Sequence, residues 1–256
     1  MATLPKRVLI AVTSAHAPLY EGGKETGLFI TEALHPFNVF RAAGFQVDLA
    51  SETGKWSPDW LSTTPEYLSP DEKKEYEGPS EFHRALKEIK KASDCRPQDY
   101  GIFFASAGHA SLIDYPDATD LQHLASSIYA DGGIVAAVCH GGAIFVGVVN
   151  QPDLTGGDAM GSGGQGQPII AGKNVTGFTT KGEEEEGVLG TIQSWNRPTI
   201  EKMAADLGAT YVSPPGPWDS FTVTDGRIVT GANPASATKT AEDAVKAFDK
   251  LKAKKD

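Results

Sequence analysis

Short apolar runs rich in β-branched and aromatic residues alternate along this chain with stretches whose apolar positions recur at helical spacing. Val8 to Val12 and Phe45 to Ala50 read as strands. Between them, Gly27 to Ala43 places Phe29, Ala33, Phe37 and Phe40 on one helical face. Pro36 should kink or restart that helix, and Gly44 should end it. The rhythm resumes with a strand from Tyr100 to Ala105, a helix from Thr119 to Ala130, a strand from Ile134 to Val138 and a helix from His140 to Val149. A strand near Val175, a helix from Thr199 to Leu207 capped by Gly208, and a strand at Tyr211 follow. Phe221 to Thr230 reads as a hairpin with Asp225-Gly226 as its turn, and Ala237 to Lys252 as a closing amphipathic helix. This order predicts an α/β fold, a mostly parallel sheet covered by helices on both faces. Ligands of such sheets bind at the carboxyl ends of the strands.

Two stretches interrupt the rhythm. Ser51 to Pro97 is polar, with Trp56, Trp60, Pro65 and Pro70, and reads as an insertion carrying one or two helices, one of them from Glu81 to Lys91. Gln151 to Gln167 is Gly-rich and reads as a mobile loop.

Composition narrows the class. With 256 residues and 40% hydrophobic content, the chain can build one sizeable core. A formal net charge of -10 without a basic stripe argues against nucleic acid as a partner. The N-terminal Met-Ala-Thr-Leu-Pro-Lys-Arg has no apolar signal core, and no apolar stretch reaches membrane-spanning length. A cytoplasmic protein is expected, with the nucleus left open. Of the two cysteines, Cys95 lies in a polar stretch and Cys139 at the end of an apolar strand. Such different settings argue against a disulfide, and two cysteines alone make no structural zinc site.

Cys139 is the candidate nucleophile, set against a buried and inert cysteine in a strand-loop-helix crossover. The run Ile134-Val-Ala-Ala-Val-Cys139-His140-Gly141-Gly142 reads as a strand, a sharp turn and a helix start. Such a turn pushes a nucleophile clear of the sheet, and glycines keep the turn uncrowded. The helix N-terminus is expected to bind an anion beside the sulfur and to favour the thiolate. His140 is the candidate base. A Cys-His pair needs a third group to fix the imidazole tautomer. Glu183, Glu184, Glu185 and Glu186 offer four carboxylates, and spacing alone does not choose among them. Glu32, mid-helix among apolar residues, is a candidate to share a proton with the thiol if buried. Ala105 to His109 follows a strand directly, so its backbone amides are candidates for the same pocket. The remaining histidines, His16, His35, His83 and His123, show no metal-ligand spacing.

Several motifs occur together and in order: Glu32-Ala-Leu-His-Pro-Phe37, Ser51-Glu-Thr-Gly54, Phe104-Ala-Ser-Ala-Gly108-His109, Ala137-Val-Cys139-His140-Gly141, Val175-Thr-Gly-Phe-Thr179, Pro215-Gly-Pro-Trp218 and Thr230-Gly-Ala-Asn-Pro-Ala-Ser236. Through them the chain resembles the PfpI-like superfamily, in its branch of fungal heat-shock chaperones and glutathione-independent glyoxalases, over nearly its whole length. The resemblance implies a flavodoxin-like, doubly wound sandwich, one domain over residues 1–256 similar to class I glutamine amidotransferases, with 51–97 as a small cap. It implies Cys139 as nucleophile, His140 as its partner, Glu183 as the orienting acid and Glu32 as the carboxyl beside the sulfur. The amides of Gly108 and His140 would form the oxyanion hole. Glu184, Glu185 and Glu186 are then expected to face solvent. The implied activity is conversion of methylglyoxal to D-lactate through a hemithioacetal, without glutathione, metal or another cofactor. The rivals are a holdase chaperone, for which Trp56, Trp60 and Tyr67 are the sequence support, and a cysteine peptidase or amidase. A small 2-oxoaldehyde is the expected partner; unfolded-protein clients and a homodimer are left open.

Overall fold

Alternate residues of the first strand serve opposite sides of a sheet. Val8 and Ile10 face one layer, Leu9 and Ala11 the other, and all four are fully buried. Burial on both faces is the signature of a central strand in a parallel sheet. The computed structural model describes residues 4–150 and 166–253. The Gly-rich loop expected at Gln151 to Gln167 lies almost wholly outside the described residues.

The strands, in chain order, are β1 (Arg7–Ala11), β2 (Ala17–Tyr20), β3 (Lys24–Thr26), β4 (Gln46–Ser51), β5 (Lys90–Lys91) and β6 (Ile102–Ala105). Then come β7 (Ile134–Val138), β8 (Asn174–Val175), β9 (Thr210–Tyr211), β10 (Thr222–Asp225) and β11 (Ile228–Gly231). The helices are α1 (Ile30–Ala42), α2 (Pro70–Glu77), α3 (Glu81–Lys87), α4 (Ser111–Asp114) and α5 (Thr119–Ala130). They continue with α6 (Thr180–Glu185), α7 (Leu189–Ser194), α8 (Ile200–Asp206) and α9 (Ala237–Ala253). The main sheet has seven strands in the order β10-β11-β7-β6-β1-β4-β5. Every pairing in it is parallel except the β10–β11 hairpin.

Two apolar layers hold this sheet. Leu9, Phe103 and Val135 pack with Leu121, Leu124 and Ile128 of α5 and Met203 of α8. Ile10, Phe104 and Ile134 pack with Phe37 and Phe40 of α1 and Phe248 of α9. Each such side chain contributes about 1.5–3 kcal/mol on burial. This is the flavodoxin-like α/β layering that the alternation and the resemblance imply.

Three local expectations change. The helix after Cys139 is a 3-10 element, Cys139–Gly147; its Gly141-Gly142 pair disfavours α-helix, and close packing against β6 constrains the path. The helix through Pro36 does not restart: α1 runs as one element, with Leu34, Phe37 and Phe40 buried against the sheet. The helix beginning at Glu81 stops at Lys87, because Lys90 and Lys91 pair in parallel with Ala50 and Ser51 at the sheet edge. The 51–97 stretch is thus joined to the sheet through β5 while α2 packs on α1 and α3.

The register aligns Ala11 with Ala105, and Ala105 with Ala137. The segments leaving β6 and β7 therefore emerge side by side at the carboxyl edge.

Candidate active site

Cys139 leaves β7 with φ +56, a left-handed backbone that a non-glycine residue adopts at a cost of about 1–3 kcal/mol. The strain turns the residue sharply off the strand. Close packing fixes the elbow: a Cβ at Gly141 would lie 2.4 Å from the Ala105 carbonyl oxygen, so only glycine passes there. The Cys139 carbonyl accepts from the Phe178 N–H at 3.3 Å, tying the elbow to the segment before α6.

His140 Nδ1 lies 3.2 Å from Cys139 Sγ, and His140 Nε2 lies 2.7 Å from Glu183 Oε1. An ionised carboxylate only accepts, so Nε2 carries a proton, and in the neutral ring Nδ1 presents its lone pair to the sulfur. Glu183 reaches this point from α6, which Thr179 caps by accepting the Gly182 N–H at 2.9 Å. His140 is fully buried and Glu183 is 1% exposed.

One residue of the cluster went unread in the sequence as a side chain. His109, on the segment after β6, places Nε2 2.9 Å from Glu183 Oε2 and 3.5 Å from Glu186 Oε2. Its ring lies 4.2 Å from that of His140, centroid to centroid, at 39°. The signal was available: β6 and β7 are adjacent parallel strands, so residues just past their ends become neighbours. The same holds for Glu186. It was expected to face solvent with Glu184 and Glu185, which do. Glu186 instead turns into the cavity, because three residues on a helix bring it to the same side as Glu183.

The electrostatics follow from burial and these contacts. Burial works against the charged form of His109, yet the carboxylates of Glu183 and Glu186 prevail and hold its pKa up at about 9. His140 is pushed down, by burial and by the neighbouring His109. Burial opposes ionisation of Glu183, and the two imidazoles overcome it, bringing the carboxyl down to about 2. Glu186 is pushed up by burial. Glu32 is fully buried, and burial pushes its carboxyl up to about 8. Neither of its oxygens completes a hydrogen bond of ordinary geometry among the described residues.

Cys139 does not hold the thiolate that an α-helix N-terminus would favour. Burial and the adjacent Glu32 push the thiol well above its ordinary range. The Cys139–Gly147 element offers no α-helical N-terminus to offset them. The resting sulfur is a thiol, with His140 Nδ1 placed to take its proton.

A cavity of about 480 Å³ opens over these groups, lined by Cys139, His140, His109 and Gly108, with Phe29, Tyr67, Phe178 and Trp218 among its walls. That volume lies in the range typical of small-molecule sites. Gly108 admits no side chain, since a Cβ would sit 2.1 Å from the Gly27 carbonyl oxygen. Cys139, His140 and the Gly108 segment thus line one cavity, with Glu183 behind His140. His109, His140 and Glu183 also bring ligand atoms within 4.8 Å of one another, near enough for a cation. A cation there would have to displace both Nε2 protons now directed at the carboxylate.

Trp56 and Tyr67 of the 51–97 stretch are engaged within the protein. Trp56 donates to the Leu86 carbonyl at 3.0 Å. Trp60 is 36% exposed and carries Lys24 Nζ 3.6 Å from its ring centroid. Tyr67 meets Phe29 edge-on and lines the cavity. Cys95 stands apart from the site, its sulfur 3.7 Å from the Lys91 carbonyl. No helix among the described residues is long and apolar enough to cross a membrane.

The chain has well-covered relatives. Residues 27–166 match the DJ-1/PfpI family. Glyoxalase 3 of Candida albicans is 51% identical over 95% of this chain and 98% of its own length. The glutathione-independent glyoxalase HSP31 of Saccharomyces cerevisiae is 47% identical, covering 97% of this chain and 99% of its own. The crystal structure of glyoxalase III from Candida albicans superposes with a TM-score of 0.88 at 50% identity, covering 96% of this chain and 98% of that one.

Proposed function

The chain belongs to the DJ-1/PfpI family, and on that premise we propose that it is a glutathione-independent glyoxalase, converting methylglyoxal and water to D-lactate. The observation that carries the reading is the placement of Cys139 Sγ on a strained elbow, 3.2 Å from the bare nitrogen of His140. The relatives' names support a glyoxalase that works without glutathione, and the groups offer a route through the reaction.

Cys139 Sγ attacks the aldehyde carbon C1 as its proton passes to His140 Nδ1. The backbone amides of Gly108 and His140 hold the new oxyanion, each such donor being worth roughly 3 kcal/mol. His140 returns the proton to this oxygen and completes the hemithioacetal. The neutral imidazole then removes the C1 proton, giving an enediolate, and delivers it to C2 as the C1 hydroxyl proton passes to the C2 oxygen, a transfer worth about 10²–10⁴-fold. C1 is oxidised as C2 is reduced, so electrons balance within the substrate. Water attacks the thioester carbonyl as His140 Nδ1 takes its proton, and the sulfur leaves as His140 passes that proton on to it. Glu183 fixes the base throughout. Glu32, protonated at neutral pH, supplies a proton beside the sulfur rather than a second negative charge. The 51–97 stretch acts as a cap, contributing Glu66 and Tyr67 to the cavity wall.

The test is glutathione-free formation of D-lactate from methylglyoxal by the wild type, Cys139→Ala and Cys95→Ala. Activity in the wild type that is lost only with Cys139 supports the reading. No activity in the wild type, or equal losses in both variants, overturns it.

A further inference from the structure

Glu183 sits between two imidazoles, one on each carboxylate oxygen, and only one of them reaches the sulfur. We propose that His109 is a positioning residue of the reaction: it takes the second oxygen of Glu183 and the positive charge of the cluster, and so leaves His140 neutral, in one tautomer, as the base. The proposal deepens the glyoxalase reading and rests on it for the reaction alone; the charge assignment stands on geometry.

A carboxylate that is 1% exposed is costly to bury unless a positive charge accompanies it. Two imidazoles are within reach, and the surroundings decide between them. His109 Nε2 lies between two carboxylates, with Glu183 Oε2 at 2.9 Å and Glu186 Oε2 at 3.5 Å. His140 meets only one, Glu183 Oε1 at 2.7 Å. A proton on His140 Nδ1 would instead point at Cys139, where burial disfavours a thiolate partner. With centroids 4.2 Å apart, the two rings do not readily share a second charge. Asp59 also faces His109 electrostatically and favours its charge, and His109 in turn acts on Glu32. Glu32, Asp59, Glu183, Glu186 and His140 are therefore the groups whose charge accompanies that of His109.

The consequence is a base that stays neutral although it is bonded to a carboxylate. A lone His–Glu pair would raise the imidazole pKa and protonate the base near neutrality. With the charge held on His109, His140 keeps an available lone pair toward Cys139 at lower pH.

Two measurements test this. The first is a nitrogen NMR titration of the wild-type protein labelled at its six histidines, which needs no activity. His109 is expected to remain an imidazolium through pH 7 to 8, with His140 neutral and its proton on Nε2. A neutral His109 beside a charged His140 would overturn the proposal. The second is the pH profile of kcat/KM for His109→Gln, which keeps a donor to Glu183 and removes the charge. Its acid limb is expected to move up by roughly one pH unit or more. An unshifted limb in a folded, active variant would overturn the proposal while leaving the glyoxalase reading intact. An inactive wild type would defeat that reading, and the titration would still decide where the charge lies.

Discussion

Glu183 Oε1 accepts a 2.7 Å hydrogen bond from His140 Nε2, and this contact makes Nδ1 the nitrogen that faces Cys139. An amide at position 183 can present N–H to His140 and favour the opposite tautomer, with a proton between the base and the sulfur. Glu183→Gln should therefore lower kcat at least about tenfold, as losses of orienting groups do. The asparagine variant of a serine-protease triad marks a far end near 10⁴-fold. Glu184→Gln and Glu185→Gln, both exposed, should stay within about twofold of wild type. Steady-state kinetics of the three variants checks this.

Glu186 departs from that surface pattern. Its Oε2 is buried with no partner of hydrogen-bonding geometry among the described residues, 3.5 Å from His109 Nε2. Glu186→Gln should weaken the charge on His109 and change kcat/KM by several-fold, with the protein still folded. Kinetics indistinguishable from Glu184→Gln would count against a role for it in the site.

Glu32 makes stability depend on pH. Its carboxyl is pushed up to about 8 by burial, against an ordinary value of 4.5. The folded state thus holds this proton more tightly than the unfolded chain. Its contribution is complete below about pH 4.5 and is lost as pH rises through about 8, at a slope of at most about 1.4 kcal/mol per pH unit. His109, held up at about 9 from 6.5, adds a loss of the same sign between those values. Glu32→Gln cannot ionise, so its Tm should fall less steeply than that of wild type between pH 5 and 8. Thermal melts across that range decide it, and parallel curves would contradict the assignment.

Gly108 has no room for a side chain. Gly108→Ala drives a methyl toward the Gly27 carbonyl oxygen, 2.1 Å from the ideal Cβ position, and should destabilise the fold by roughly 1–3 kcal/mol. It also displaces the amide proposed to hold the oxyanion. Chemical denaturation and kcat should therefore fall together, and a fully stable, fully active variant would show that the backbone here gives way easily.

The layered sheet was legible because period-2 and period-3.6 patterns reach it without interruption: Ile134–Val138 and Thr119–Ala130 occur as the sequence reads. The elbow was legible because an apolar run ends abruptly in Cys-His-Gly-Gly. His109 was not read as a side chain, since its partner Glu183 lies 74 positions away and local pattern carries no signal at that range. Only the adjacency of β6 and β7 places it. The inward turn of Glu186 is a helical-period effect, hidden by a run of four identical residues. The path of the chain after Cys139 is set by close approach to Ala105, which composition does not reveal.

The most direct measurement is D-lactate produced from methylglyoxal without glutathione by Cys139→Ala beside wild type and Cys95→Ala. Cys139 sits on the strained elbow against His140, whereas Cys95 lies in a separate, partly exposed 3-10 turn region. Turnover is expected from wild type and Cys95→Ala, and none above background from Cys139→Ala. D-lactate formation by a folded Cys139→Ala protein at a rate near wild type would contradict it.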